Sequence, residues 1–170
     1  MVFLERVSTF IANRQMFDAM DYVIRPLAPA DEPILWEMLY QALLRAEGET
    51  APSRDIVRQP EFARYVEGWG RTGDAGFVAH DTETGELLGA VWFRPPAGDE
   101  TPELAFAVKA GHRKHGIGAA LLTQWVRANP EQSFISLRVG PNNPAVRLYE
   151  RFGFKVAGQT DKSVTMRREI

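Results

Sequence analysis

Apolar side chains recur along this chain in two rhythms, and the switches between those rhythms outline its elements. Residues 3–17 carry Phe3, Leu4, Val7, Phe10, Ile11 and Phe17 in a rough helical stripe. Tyr22–Leu27 (YVIRPL) reads as a first strand. Over Asp31–Arg45, Ile34, Leu35, Met38, Leu39, Ala42 and Leu43 fall on one side of an amphipathic helix. Pro60 is placed to open another helix, since proline is tolerated at the first helical position, and Phe62, Tyr65, Val66 and Trp69 follow at helical spacing. Three strand-like runs come next: Gly76–His80, Glu86–Phe93 after the turn TETGE, and Glu103–Val108 after the loop RPPAGDETP. The spacing predicts a helix over 117–128, with Ile117, Ala120, Leu121, Trp125 and Ala128 on its apolar face. A strand over Phe134–Val139, a helix over Pro144–Phe152 and closing strands at Phe154–Val156 and Ser163–Arg168 complete the pattern. Strands first, then strand and helix in alternation, predict an α/β domain: one mixed sheet with helices on its faces.

Composition narrows the chemistry. At 170 residues the chain suits one domain with a sizeable core. It has no cysteine, which excludes disulfides, thiol nucleophiles and thiolate metal sites. Its three histidines show no metal-ligand spacing, so no metal is expected. A net charge of −2 gives no global basic field, and neither nucleic acid nor membrane is expected as a partner. No uninterrupted apolar run reaches the roughly 18 residues a spanning helix needs. A signal-peptide profile is not expected at the N-terminus, where Glu5 offsets Arg6 and Ser8, Thr9, Asn13 and Arg14 break any apolar centre. The expected location is the cytoplasm.

The stretch HRKHGIGAALL, residues 112–122, follows a strand and starts a helix. The first turn of a helix leaves backbone N–H groups unpaired, with partial positive charge from the aligned peptide dipoles. Gly116 and Gly118 remove side chains that would block an anion from those donors, and Arg113 and Lys114 add charge, as His112 and His115 do when protonated. That is the profile of a phosphate cradle. A strand-to-helix turn whose charges merely face solvent has the same composition. Two other phosphate sites are excluded: Ala119 and Ala120 stand after Gly118 in place of a Lys-Ser/Thr ending, and LRVGPNN has no acid where a dinucleotide fold wants one.

A second constellation lies in ISLRVGPNNPAVRLYERFGF. Asn142 or Asn143 suits the cap of a helix that Pro144 begins. On that helix Ala145, Leu148, Tyr149 and Phe152 share the inward face, while Gly153 ends it and Phe154 starts a strand. Tyr149 is either a core tyrosine or a functional phenol.

Together these stretches resemble the GNAT superfamily of acyl-CoA-dependent N-acyltransferases, over about residues 22–170. One family signature stands here as Arg113, Gly116 and Gly118 after the strand ELAFAV, the other as Asn142, Tyr149 and Gly153-Phe154. The resemblance implies a mixed, mostly antiparallel central sheet flanked by helices on both faces. It implies N-acetyl transfer from acetyl-CoA to a primary amine. The backbone of Phe106, Ala107 and Val108 would pair with the pantetheine arm, and Asn142 would contact it. The amides of Arg113, Lys114, His115, Gly116, Ile117 and Gly118 would hold the diphosphate. Tyr149 would face the sulfur as general acid, and a backbone N–H near Val108 would meet the oxyanion. For the base, a carboxylate on this strand makes Glu103 the candidate, ahead of Asp99 and Glu100 in the adjoining loop. Alternation puts Glu103 with Ala105 and Ala107, opposite Leu104, Phe106 and Val108.

The acceptor cleft would draw on the first two helices and neighbouring strands, where Trp36, Tyr40, Tyr65, Trp69, Trp92 and Phe93 occur, with Arg94 beyond. Most such aromatics serve a core. A cleft they line would carry little negative charge, which favours an amino acid, a peptide N-terminus or a small amine over a polycation. Residues 1–21 form an N-terminal extension with a helical stripe that suits a homodimer contact. Two non-enzymatic readings stand beside the transferase: an acyl-CoA-binding sensor or regulatory module, and an interaction domain whose glycine turn is purely structural.

Overall fold

The computed structural model describes residues 21–44, 50–96, 98, 102–112, 116–130, 134–139, 145–161 and 163–169. The expected helix over 3–17, and with it the extension, lies outside the described residues.

The elements run β1 (Tyr22–Pro26), a 3₁₀ turn (Pro29–Asp31), α1 (Glu32–Leu43), a second 3₁₀ turn (Arg54–Arg58), α2 (Pro60–Ala63), β2 (Ala75–Asp81) and β3 (Leu87–Arg94). They continue with β4 (Glu103–Val108), α3 (Ile117–Ala128), β5 (Phe134–Val139), α4 (Ala145–Arg151), β6 (Lys155–Gln159) and β7 (Val164–Glu169). One seven-stranded sheet has the order β1-β2-β3-β4-β5-β7-β6. Every neighbouring pair is antiparallel except β4 and β5, which run parallel because α3 carries the chain back across the sheet. This is the mixed, mostly antiparallel sheet with helices on both faces that the sequence predicts.

Strand β3, LLGAVWFR, is buried along six consecutive positions, so it reads as an unbroken apolar run rather than an alternation. Its side chains serve two cores. Leu88, Val91 and Phe93 join Leu104, Ile117, Leu121, Trp125, Tyr149 and Phe154 on the face covered by α3 and α4. Ala90 and Trp92 join Ala107, Leu35, Met38, Leu39 and Val66 on the face covered by α1. Leucine-sized groups fully removed from water contribute about 1.5–3 kcal/mol each, so the two cores position the strand between them firmly.

The predicted helix from Pro60 through Trp69 is shorter than its apolar spacing indicates. It ends at Ala63 and gives way to turns. Gly68 and Gly70 adopt positive φ, at 72° and 109°. The Arg94 guanidinium takes the carbonyls that a longer helix would use, donating to Glu67 O at 2.6 Å and Gly68 O at 3.1 Å. Val66 and Trp69 still reach the core, which is why their spacing looked helical.

Candidate active site

The site begins where the sheet opens. β4 pairs with β3 along its whole length, from Gly89↔Val108 to Arg94↔Glu103, whereas its register with β5 is Glu103↔Ser136. There the Ser136 N–H donates to Pro102 O at 2.9 Å. The Lys109 N–H donates to Leu88 O at 2.8 Å, which fixes the phase of the β3–β4 ladder. That phase turns the peptide groups of Glu103, Ala105 and Ala107 toward β3 and those of Leu104, Phe106 and Val108 toward β5. The edge of β4 thus presents extended backbone toward the opening.

Side chains divide across β4 as alternation predicts. Leu104 is buried in the core under α3 and α4, with Phe106 and Val108 packed against it. Ala107 belongs to the core under α1, with Ala105 packed against that one. Glu103 therefore faces the α1 side. Tyr65 donates a hydrogen bond to its Oε2 at 2.5 Å, and Arg64 Nη2 stands 3.7 Å from its Oε1. Burial, reinforced by the Glu103 charge, pushes the Tyr65 phenol well above the ordinary tyrosine range.

Tyr149 lies under the opposite face. It is 3% exposed and sits edge-on to Phe106 and to Phe154, with ring centroids 5.7 and 6.1 Å away. Burial raises its pKa, so the phenol holds its proton across the neutral range. The sequence placed Tyr149 on the inward face of its helix, and there it stands.

At the start of α3, Gly116 is the N-cap with φ 81°, a conformation L side chains rarely adopt. The first turn then runs through Ile117, whose side chain is buried in the core. A Cβ on Gly118 would come within 2.8 Å of Phe106 Cζ and 3.3 Å of Leu148 Cδ2. What the missing side chain admits is therefore the close packing of α3 on β4 and α4. Arg113, Lys114, His115 and Asn142, like Asp99 and Glu100, lie outside the described residues.

Most of the aromatics named for the acceptor cleft serve the core. Tyr40 is buried with its hydroxyl donating to Pro52 O at 2.8 Å; Trp69 donates to Ala28 O at 3.2 Å and Trp92 to Tyr65 O at 3.0 Å. Phe93 packs against Trp125 on the other face. Trp36 is partly exposed, under the Arg58 guanidinium at 3.9 Å. Arg94 is bound twice to the buried Asp74, at 3.1 and 3.0 Å, and so ties a loop instead of meeting a ligand.

Arg64, Gln41 and the contact partner of Tyr65 escaped the sequence reading. The Tyr65–Glu103 bond and the Arg64 approach join positions far apart in the chain. Gln41 accepts from the Ala110 N–H at 3.0 Å, which anchors the loop between β4 and α3 to α1. A polar position on an amphipathic helix was the only signal for it.

Among the described residues no group of three or more His, Asp or Glu is placed to hold a metal, and no helix is long and apolar enough to cross a membrane.

A carboxylate and a phenol lie on opposite faces of the sheet at the parallel pair of β4 and β5, beside a glycine-started helix. The chain belongs to the acetyltransferase (GNAT) family, whose pattern it matches over residues 36–154. It is similar in fold to PaiA N-acetyltransferase from Thermoplasma acidophilum, solved in complex with coenzyme A. The two are 18% identical with a TM-score of 0.63, over 89% of this chain and 100% of that one. A spermidine N-acetyltransferase chimera of Vibrio cholerae SpeG and hSSAT is 20% identical with a TM-score of 0.58, over 87% and 95%. Ribosomal-protein-alanine N-acetyltransferase from Brucella melitensis is 22% identical with a TM-score of 0.57, over 86% and 99%. No curated protein matches the chain by sequence.

Proposed function

We propose that the chain moves an acetyl group from acetyl-CoA to a primary amine by direct attack. The observation that carries this reading is the opening of the sheet at β4, with Glu103 on the α1 face and Tyr149 beneath the other. The acetyl thioester supplies the activated acyl group. The edge of β4 from Phe106 to Val108, with its Phe106 peptide group turned away from β3, fits an extended amide-bearing arm. The amides of Gly116, Ile117 and Gly118 begin a helix, whose dipole and unpaired donors suit a diphosphate. Arg113, Lys114, His115 and Asn142 join this binding set on the family resemblance alone.

In this reading a nitrogen–carbon bond forms as the carbon–sulfur bond breaks. Glu103 receives the surplus proton of the amine, directly or through water. Tyr149 donates a hydrogen bond to the departing sulfur. An alkyl thiol has a reference pKa near ~8.5, below that of a tyrosine raised by burial, so full proton transfer from phenol to thiolate runs uphill. Tyr149 is thus a stabilising donor more than a proton source, which refines the general-acid role.

The test is release of free thiol from acetyl-CoA across a panel of primary amines, run beside calorimetry with CoA. Thiol release with at least one amine is expected. CoA binding without release to any amine supports the sensor reading. No binding at micromolar CoA ends the cofactor assignment.

A further inference from the structure

The surroundings of Glu103 carry more positive charge than a plain amine would favour. Arg64 Nη2, 3.7 Å from Glu103 Oε1, also donates to the Tyr65 hydroxyl at 2.9 Å, and its guanidinium lies 4.2 Å from the centre of that ring. Half of the Arg64 side chain is exposed. Arg138 is the second cation. The Glu103↔Ser136 register puts Arg138, two residues further along β5, on the same sheet face as Glu103 and toward the opening. It is exposed, and its charge acts on the Tyr65 phenol. Arg94 does not join them, because Asp74 occupies it.

An alkyl amine reaches the site mostly as an ammonium, since its reference pKa is near ~10.4. Two guanidiniums beside the receiving carboxylate oppose a simple monocation and oppose a polycation more. A carboxylate on the same molecule reverses that balance. It offers each guanidinium a planar acceptor and brings the ligand to net zero charge.

Resting on the transferase reading, we propose that the acceptor is an amine with a carboxylate a few bonds away, of which a free α-amino acid is the simplest. Arg64 and Arg138 hold that carboxylate, and Tyr65 is a positioning residue that keeps Glu103 aimed. As the ligand draws Arg64 away, Glu103 Oε1 is left to the incoming amine while Oε2 stays bound to Tyr65.

The experiment measures kcat/KM for the full chain with saturating acetyl-CoA and matched pairs: leucine against leucinamide, and phenylalanine against phenylalaninamide. An amide's amine gives up its proton more readily, so chemistry alone favours the amides. The proposal expects the acids to be preferred by about 10-fold or more. Arg64→Gln and Arg138→Gln each lower kcat/KM for the acid about 10-fold more than for the amide, with thermal midpoints unchanged. Tyr65→Phe lowers kcat for both and moves the acid limb of the pH–rate profile, which a loss of packing would not do. Amides used as well as acids, or glutamine variants that slow both alike, overturn the proposal. No transfer to any amine with CoA still bound overturns the transferase reading itself, and the proposal with it.

Discussion

Gly118 stands where α3 presses on β4, with Phe106 Cζ only 2.8 Å from where a side chain would begin. Gly118→Val pushes the first turn of α3 away from the strand and is expected to weaken CoA binding at least about 10-fold while lowering stability by about 1–3 kcal/mol. Calorimetry and a urea melt on the same variant check both; unaltered affinity would count against the cradle. Tyr149→Phe keeps the edge-on packing with Phe106 and Phe154 and removes only the hydroxyl. The account expects kcat to fall about 100-fold with CoA affinity nearly unchanged, read from single-turnover rates and calorimetry. At this scale the sequence was informative where a residue's role follows from its own element. Helical spacing put Tyr149 inward and alternation put Glu103 opposite Phe106. It was silent about Arg64, Arg138 and the bond of Tyr65 to Glu103, because what matters for them is a contact across 38 residues or a strand register. One linear pattern encodes neither.

Elements were legible to the extent that their periodicity was their own. The bounds of β4, α3 and β5 agree with the apolar pattern, since each is a short regular run ended by glycine, asparagine or a polar turn. The segment after Pro60 differed because a distant arginine decides its end. Arg94 holds Asp74 and three carbonyls of the α2–β2 connection from within a nearly closed site, with the Asp74 side chain 2% exposed. Arg94→Ala removes the cation from that carboxylate and leaves it only the Gly70 and Arg71 N–H donors, for which the expected loss is about 1–3 kcal/mol in a urea melt. The same variant loosens the turn that carries Arg64 and Tyr65. A melt within about 0.5 kcal/mol of the parent chain would show that the clamp is dispensable.

For the whole molecule, one sheet separates two cores, and the proposed chemistry sits where the sheet itself divides. Tyr149 and Tyr65 both have folded-state pKa values raised above the unfolded value near ~10. Their contribution to stability is therefore complete below that pH and is lost as pH rises above it. Urea midpoints between pH 8 and pH 11 should fall with rising pH, and fall less in Tyr149→Phe; an equal decline in both would remove Tyr149 as the cause. The fold class was readable from the order of strands and helices, but the opening between β4 and β5 was not, since it depends on how two parallel strands diverge in space. The most direct measurement is a crystal structure of the full chain grown with CoA. The account predicts a diphosphate on the amides of residues 116–118 and a sulfur between β4 and β5 within hydrogen-bond reach of the Tyr149 hydroxyl. A diphosphate bound away from that first turn, or a sulfur out of reach of the phenol, would contradict it.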